Sequence, residues 1–199
     1  RPNDSRPRVF YGSVLLRVGK VAEAEAQLRE ATRLAPDDPM GLLRLGAALA
    51  QQRKYDEAIP FLERATRNLP DDPGAYRMLG EIYSAQGKDA LAAQNLTRAL
   101  SGMGDDPDLL VRLAVMLADS RDPSVRDGSR ALGLAERAVE LTNRRNPVAL
   151  AALALAQGEV GRYADAAATS REALQLARSL NANPALIQEL EYRARLYSR

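Results

Sequence analysis

Asp38-Pro39, Asp72-Pro73 and Asp106-Pro107 fall 34 residues apart in this chain of 199. The spacing has a structural reason. An Asp carboxylate accepts hydrogen bonds from the unpaired N–H groups of a first helical turn, and Pro fits the position that follows it. Asn146-Pro147 and Asn183-Pro184 are the same device in later, stretched periods, so five dipeptides predict five helix starts. Such a chain is a repeat array, whose units bury their apolar faces on their neighbours and not round one central core.

Periods closed by these dipeptides run 5–38, 39–72, 73–106, 107–146 and 147–180, after an N-terminal extension at 1–4 and before a tail at 181–199. The first half of each reads as a helix with apolar residues three and four apart: Tyr11/Leu15, Leu42/Leu45/Leu49, Tyr76/Leu79/Tyr83, Leu110/Leu113/Leu117 and Leu150/Leu153. A small residue recurs at Gly12, Gly46, Gly80, Ala114 and Ala154. Glycine within a helix costs about 1 kcal/mol against alanine, so its recurrence predicts a close approach of two helices. A turn follows at Gly19-Lys20, Arg53-Lys54, Gly87-Lys88 and Gly161-Arg162. Then comes a second helix with columns Ala24/Leu28/Ala31, Ala58/Leu62/Ala65, Ala92/Leu96/Ala99, Ala131/Ala135/Ala138 and Ala166/Ser170/Ala173. Pro36 and Pro70 close the first two periods, and Pro60, early in a helix, removes at most one hydrogen bond.

These columns resemble the tetratricopeptide repeat, with its Leu-Gly pair and its later Ala, large apolar residue, Ala and Pro. The period at 39–72 carries the likeness best, through Leu42, Leu45-Gly46, Leu49, Ala58, Leu62, Ala65 and Pro70. The resemblance covers residues 5–180 and implies an all-α, right-handed superhelical solenoid of helix-turn-helix repeats. The segment at 107–199 is similar to the closing part of many bacterial members, which leaves both the bacterial cytoplasm and the periplasm open.

Departures from the pattern predict local irregularities. The fourth period is longer by about six residues through 119–128, which predicts a longer loop or an irregular turn, with Asp122-Pro123 able to cap a short extra turn. The fifth has Ser170 where Leu is expected and is the weakest match. Residues 183–197 read as one amphipathic helix with Leu186, Ile187, Leu190 and Leu196 on one side, suited to covering the last repeat.

Composition narrows the chemistry. With no Cys there is no disulfide framework and no thiolate, and with no His the commonest general base and zinc ligand are missing. No Walker-type or dinucleotide-binding glycine motif occurs, and no apolar run approaches the roughly 20 residues of a bilayer span. Of 28 basic residues 25 are Arg, yet residues 1–106 carry 15 basic and 15 acidic groups and 107–199 carry 13 and 11. No basic field is offered to nucleic acid. The lysines, Lys20, Lys54 and Lys88, keep the 34-residue interval and belong to a turn. The carboxylate pairs Asp37-Asp38, Asp71-Asp72 and Asp105-Asp106 occupy equivalent turns and read as structural. The expectation is therefore a non-enzymatic chain with no cofactor and no metal site.

In the family, the first helices of successive repeats line a concave groove that holds an extended peptide or a partner's helix. The resemblance places Ser13, Arg17, Arg44, Ala47, Gln51, Arg77, Glu81, Arg112 and Val115 on that face. Arg17, Arg44, Arg77 and Arg112 would form a ladder suited to carboxylates, hence to an acidic protein or peptide partner. One subset of the family clamps the C-terminal carboxylate of heat-shock chaperones with Lys and Asn in the first repeat. Val9 and Ser13 stand at the matching positions here, so that activity does not carry over. A scaffold binding a protein segment is the leading expectation. Two others stand beside it: a recruitment or regulatory arm of a larger bacterial enzyme or assembly, because the chain begins with Arg1 and not Met, and a self-assembling module whose ends stack into homo-oligomers.

Overall fold

The computed structural model describes residues 4–197, so most of the N-terminal extension expected at 1–4 lies outside the described residues. Eleven α-helices and no strand occur among them: α1 (Arg6–Arg17), α2 (Val21–Leu34), α3 (Pro39–Gln51), α4 (Tyr55–Asn68), α5 (Pro73–Ala85), α6 (Asp89–Met103), α7 (Pro107–Asp119), α8 (Gly128–Leu141), α9 (Pro147–Glu159), α10 (Tyr163–Ser179) and α11 (Pro184–Leu196). Each of the five Asp-Pro and Asn-Pro dipeptides starts a helix. Asp38 accepts from Gly41 N at 3.1 Å, Asp72 from Gly74 N at 2.8 Å, Asp106 from Asp108 N at 2.9 Å, Asn146 from Val148 N at 2.9 Å and Asn183 from Ala185 N at 2.8 Å. In every case Pro opens the helix.

The chain divides into two compact units, Arg1–Gly102 and Met103–Arg199. In the first, α1 pairs with α2 and α3 with α4, while α2 packs on α3, α4 on α5, and α3 on both α1 and α5. In the second, α7 pairs with α8 and α9 with α10, α9 packs on α7 and α8, and α11 packs on α10.

The close approach predicted by the glycines is present. A Cβ added at Gly12 would lie 2.6 Å from Leu28 Cγ, at Gly46 2.5 Å from Leu62 Cδ2, and at Gly80 2.7 Å from Leu96 Cδ2. Each leucine fills the space that its glycine leaves. In the second unit the sizes even out. Ala114 and Ala154 replace the glycines, and Ala135 and Ser170 replace the leucines, all fully buried. Ser170 is thus a size-compensated version of the same contact, although its buried hydroxyl has no hydrogen-bond partner among the described residues.

The turns within the hairpins share one geometry. Gly19, Gly87 and Gly161 have φ of 78°, 68° and 79°, and Arg53, at the same place in its period, takes 59°. The next residue then donates back to the helix it leaves: Lys20 N to Leu15 O at 2.9 Å, Lys54 N to Leu49 O at 3.0 Å, Lys88 N to Tyr83 O at 2.9 Å and Arg162 N to Gln157 O at 2.8 Å. This pattern satisfies carbonyls orphaned at the helix end.

The stretched period has an ordered connection. Asp122 accepts from Ser124 N at 2.9 Å, Val125 is buried, Asp127 N donates to Leu117 O at 2.9 Å, and the Asp127 carboxylate caps α8 at Arg130 N, 2.9 Å away. Pro60 sits within an unbroken α4.

Two packing expectations differ from what is found. Tyr11 was expected in the core with Leu45 and Leu79 but is 51% exposed, because no described helix precedes α1 to cover it. In the tail, Leu190 is fully buried while Leu196 is exposed. Tyr197 makes the closing contact instead: a Cβ at Gly158 of α9 would lie 2.7 Å from its ring. Burial there pushes the Tyr197 phenol above its ordinary pKa.

Candidate functional site

In the first unit α3 and α5 lie side by side, and where they meet α3 carries two small residues, the buried Ala47 and the half-buried Ala50. Ala47 and Ala50 leave an open pocket of about 270 Å³, walled by Gln51, Tyr55, Met78, Glu81 and Ile82. Small side chains on one helix and longer ones on its neighbour make a depression without any distortion of the backbone. Ala47, Gln51 and Glu81 are three of the residues expected on the concave face. Arg44 stands one turn before Ala47, and Arg77 one turn before Glu81, so both adjoin the pocket along their helix rows.

The two arginines differ in availability. Arg77 Nε donates to Glu81 Oε1 at 3.2 Å, an exposed pair within one helix that answers part of its charge. Arg44 is half-buried and has no ion pair among the described residues, and its buried Nε–H has no acceptor. An unanswered buried donor of this kind costs about 1–3 kcal/mol, which weakens the framework unless the guanidinium finds a partner.

The remaining expected residues are placed as follows. Ser13 is half-buried, and its hydroxyl donates to Val9 O at 2.7 Å, a bond within α1. Arg17 is exposed in the last turn of α1 and carries no ion pair among the described residues. Arg112 and Val115 belong to α7 in the second unit, where both are exposed. Tyr55, Met78, Ile82 and Ala50 were not anticipated. The signal for Met78 and Ile82 was their place immediately beside Arg77 and Glu81, since a helix face is broad enough to include adjacent rows. Tyr55 opens α4 directly after the turn that ends α3, which brings its ring back over the pocket.

The Asp-Asp pairs divide their work. The second Asp of each caps its own helix, as described above. The first meets an arginine of the following hairpin: Asp37 pairs with Arg64 at 3.1 Å, Asp71 with Arg98 at 3.6 Å, and Asp105 with Arg137, which holds the Asp105 carboxyl below its ordinary pKa. Among the described residues no three Asp or Glu side chains come together as a metal-ligating group, and no helix is long and apolar enough to cross a membrane.

Residues 12–73 match the family model described as a tetratricopeptide repeat. No curated protein matches the sequence. Among solved structures the chain is similar to YrrB, described as a TPR protein with an unusual peptide-binding site, at a TM-score of 0.80 and 17% identity, over 96% of this chain and 94% of that one. It is similar to MamA from Desulfovibrio magneticus RS-1 at a TM-score of 0.75 and 20% identity, over 88% and 96% of the two chains. It is also similar to a chain of the APC/C hetero-tetramer Cut9-Hcn1, at a TM-score of 0.65 and 19% identity, over all of this chain and 41% of that one. At these identities the likeness speaks for the fold: an all-α helical repeat.

Proposed function

We propose that this chain, which matches the tetratricopeptide-repeat model over residues 12–73 and shares the all-α repeat fold of YrrB, is a non-enzymatic scaffold that binds a segment of another protein in the pocket between α3 and α5. The observation that carries this reading is the pocket itself, an apolar floor at Ala47, Ala50, Met78 and Ile82 edged by Gln51 and Glu81, with Arg44 and Arg77 one turn away on the same two helices. An apolar side chain of the partner fits over the two alanines, where its burial contributes about 25 cal/mol per Å². Gln51 has both a donor and an acceptor for the partner's main chain. Arg44 is suited to a carboxylate, because a guanidinium offers a planar fork that a carboxylate matches in two places. The partner is accordingly an acidic segment with an apolar residue.

In this reading the binding surface lies in the first unit, and in the second α11 covers α10. YrrB, by its description a peptide binder, lends support through a shared fold. The test is titration of a labelled acidic peptide pool against wild type and the double variant Arg44→Glu/Arg77→Glu. Binding weaker by about tenfold or more is expected, which corresponds to about 1.4 kcal/mol. Unchanged affinity would remove the arginines from the site.

A further inference from the structure

The first unit repeats the same helix junction twice, and the two copies are closed differently. Between α2 and α4, Arg29 Nη2 meets Glu57 Oε2 at 2.7 Å, while Glu25 accepts from Lys54 Nζ at 2.9 Å and from Gln52 Nε2 at 2.6 Å. Moving each residue 34 positions on gives the junction between α4 and α6. Arg29 becomes Glu63, Glu57 becomes Leu91, and Glu25 becomes Ile59. Both bridges are therefore lost. Lys88, the counterpart of Lys54, lies over the Tyr83 ring at 5.7 Å, and Gln86, the counterpart of Gln52, turns to Asp56 at 3.1 Å. Only the far end keeps its link, Arg98 to Pro70 O and Asp71 in place of Arg64 to Pro36 O and Asp37.

Where the bridges are missing a groove of about 660 Å³ opens. Its floor is Tyr76, Leu79 and Tyr83 of α5, and Glu63 and Leu91 face it from α4 and α6. The cation in its lining, Arg98, lies over the Tyr76 ring at 5.7 Å and is turned to Asp71 and Pro70 O at the far end. Glu63 accepts the Tyr83 hydroxyl at 3.2 Å and has no cation paired with it among the described residues. Leu91 is an apolar side chain left 42% exposed at the rim. None of these residues belongs to the α3–α5 pocket.

We propose that this groove is a second docking site, which takes a protein segment carrying a lysine or arginine beside an apolar residue. Glu63 holds the place of Arg29, so the pairing is reversed in sign: the cation comes in beside Leu91, on the side that Glu57 occupies in the first junction, and meets the Glu63 carboxylate. The apolar neighbour covers Leu91 and the edge of Tyr76. Charge complementarity selects the occupant: the wall that would have been answered within the chain offers an anion and a hydrophobe together. The site is opposite in charge preference to the α3–α5 pocket and stands independently of it.

The experiment uses fluorescence anisotropy with a labelled decapeptide that carries one Arg-Leu pair in an Ala/Ser background, beside matched peptides with Glu for Arg or Ser for Leu. Wild type is expected to bind the Arg-Leu peptide saturably and at least about tenfold more tightly than either control. Leu91→Arg supplies an internal cation for Glu63, as Arg29 does for Glu57, and Glu63→Gln removes the anion; each is expected to weaken binding about tenfold or more. Thermal melts check that both variants are folded. Ala47→Arg, which fills the α3–α5 pocket, is expected to leave this binding unchanged. Absence of saturable binding at millimolar peptide, equal binding of all three peptides, or loss on Ala47→Arg alone would overturn the proposal.

Discussion

Gly46 and Leu62 form one contact from two sequence columns, and the pairing explains why neither column can change alone. With 2.5 Å between an added Cβ and Leu62 Cδ2, Gly46→Val has to displace a fully buried leucine. The expected loss is about 1–3 kcal/mol, read from urea or thermal unfolding. The glycine column was legible from sequence because a helical glycine needs a reason. The matching loss of Leu at Ser170 was not, since it makes sense only once Ala154 is seen to have taken up the space. Ser170 also leads to the opposite prediction. Its hydroxyl is buried and unpartnered, so Ser170→Ala is expected to stabilise the second unit by about 0.5–1.5 kcal/mol, whereas Ser170→Leu overpacks and destabilises it. A melt of Ser170→Ala below that of wild type would show that the hydroxyl has a partner.

Between elements, ion pairs decide which junctions are closed. Glu25 is the centre of the α2–α4 junction: hydrogen bonds from Lys54, Arg29 and Gln52 hold its pKa at about 2, against an ordinary 4.5, in opposition to burial. Because the folded state lowers this pKa, the stabilisation is complete above about pH 4.5 and disappears as pH falls towards 2. Its side chain is 13% exposed, but Lys54 and Arg29 are 40% and 43% exposed, so solvent screens the pair and the contribution is about 1–2 kcal/mol. Glu25→Gln is expected to lose that amount at neutral pH and to flatten the acid limb of the stability profile; an unaltered limb would place the acid sensitivity elsewhere. Helix starts were legible at this scale because capping is local, and the Asp-Pro and Asn-Pro dipeptides carry the whole signal. The closing contact of the tail was not: Leu196 has the right spacing, but Tyr197 is the residue that reaches Gly158, because the helix ends just before it.

For the molecule as a whole, near-balanced charge in both halves of the sequence directs attention to local surfaces and not to a long-range field. The candidate site was legible in part. Ala47, Gln51 and Glu81 come together, since one helical period separates positions on the same face; Tyr55 joins them only through a turn that brings the next helix back, which spacing within a single helix does not encode. The expected arginine ladder divides into Arg44, with an unanswered donor, and Arg77, already paired to Glu81. The central claim is that the surface between α3 and α5 binds a protein segment. Amide chemical-shift mapping on the labelled chain during titration with the acidic peptide pool tests it most directly. Saturable shifts concentrated at Arg44, Ala47, Gln51, Met78 and Glu81, and abolished by Ala47→Arg, are the predicted result. Shifts that leave these residues untouched, or that survive Ala47→Arg unchanged, would contradict it.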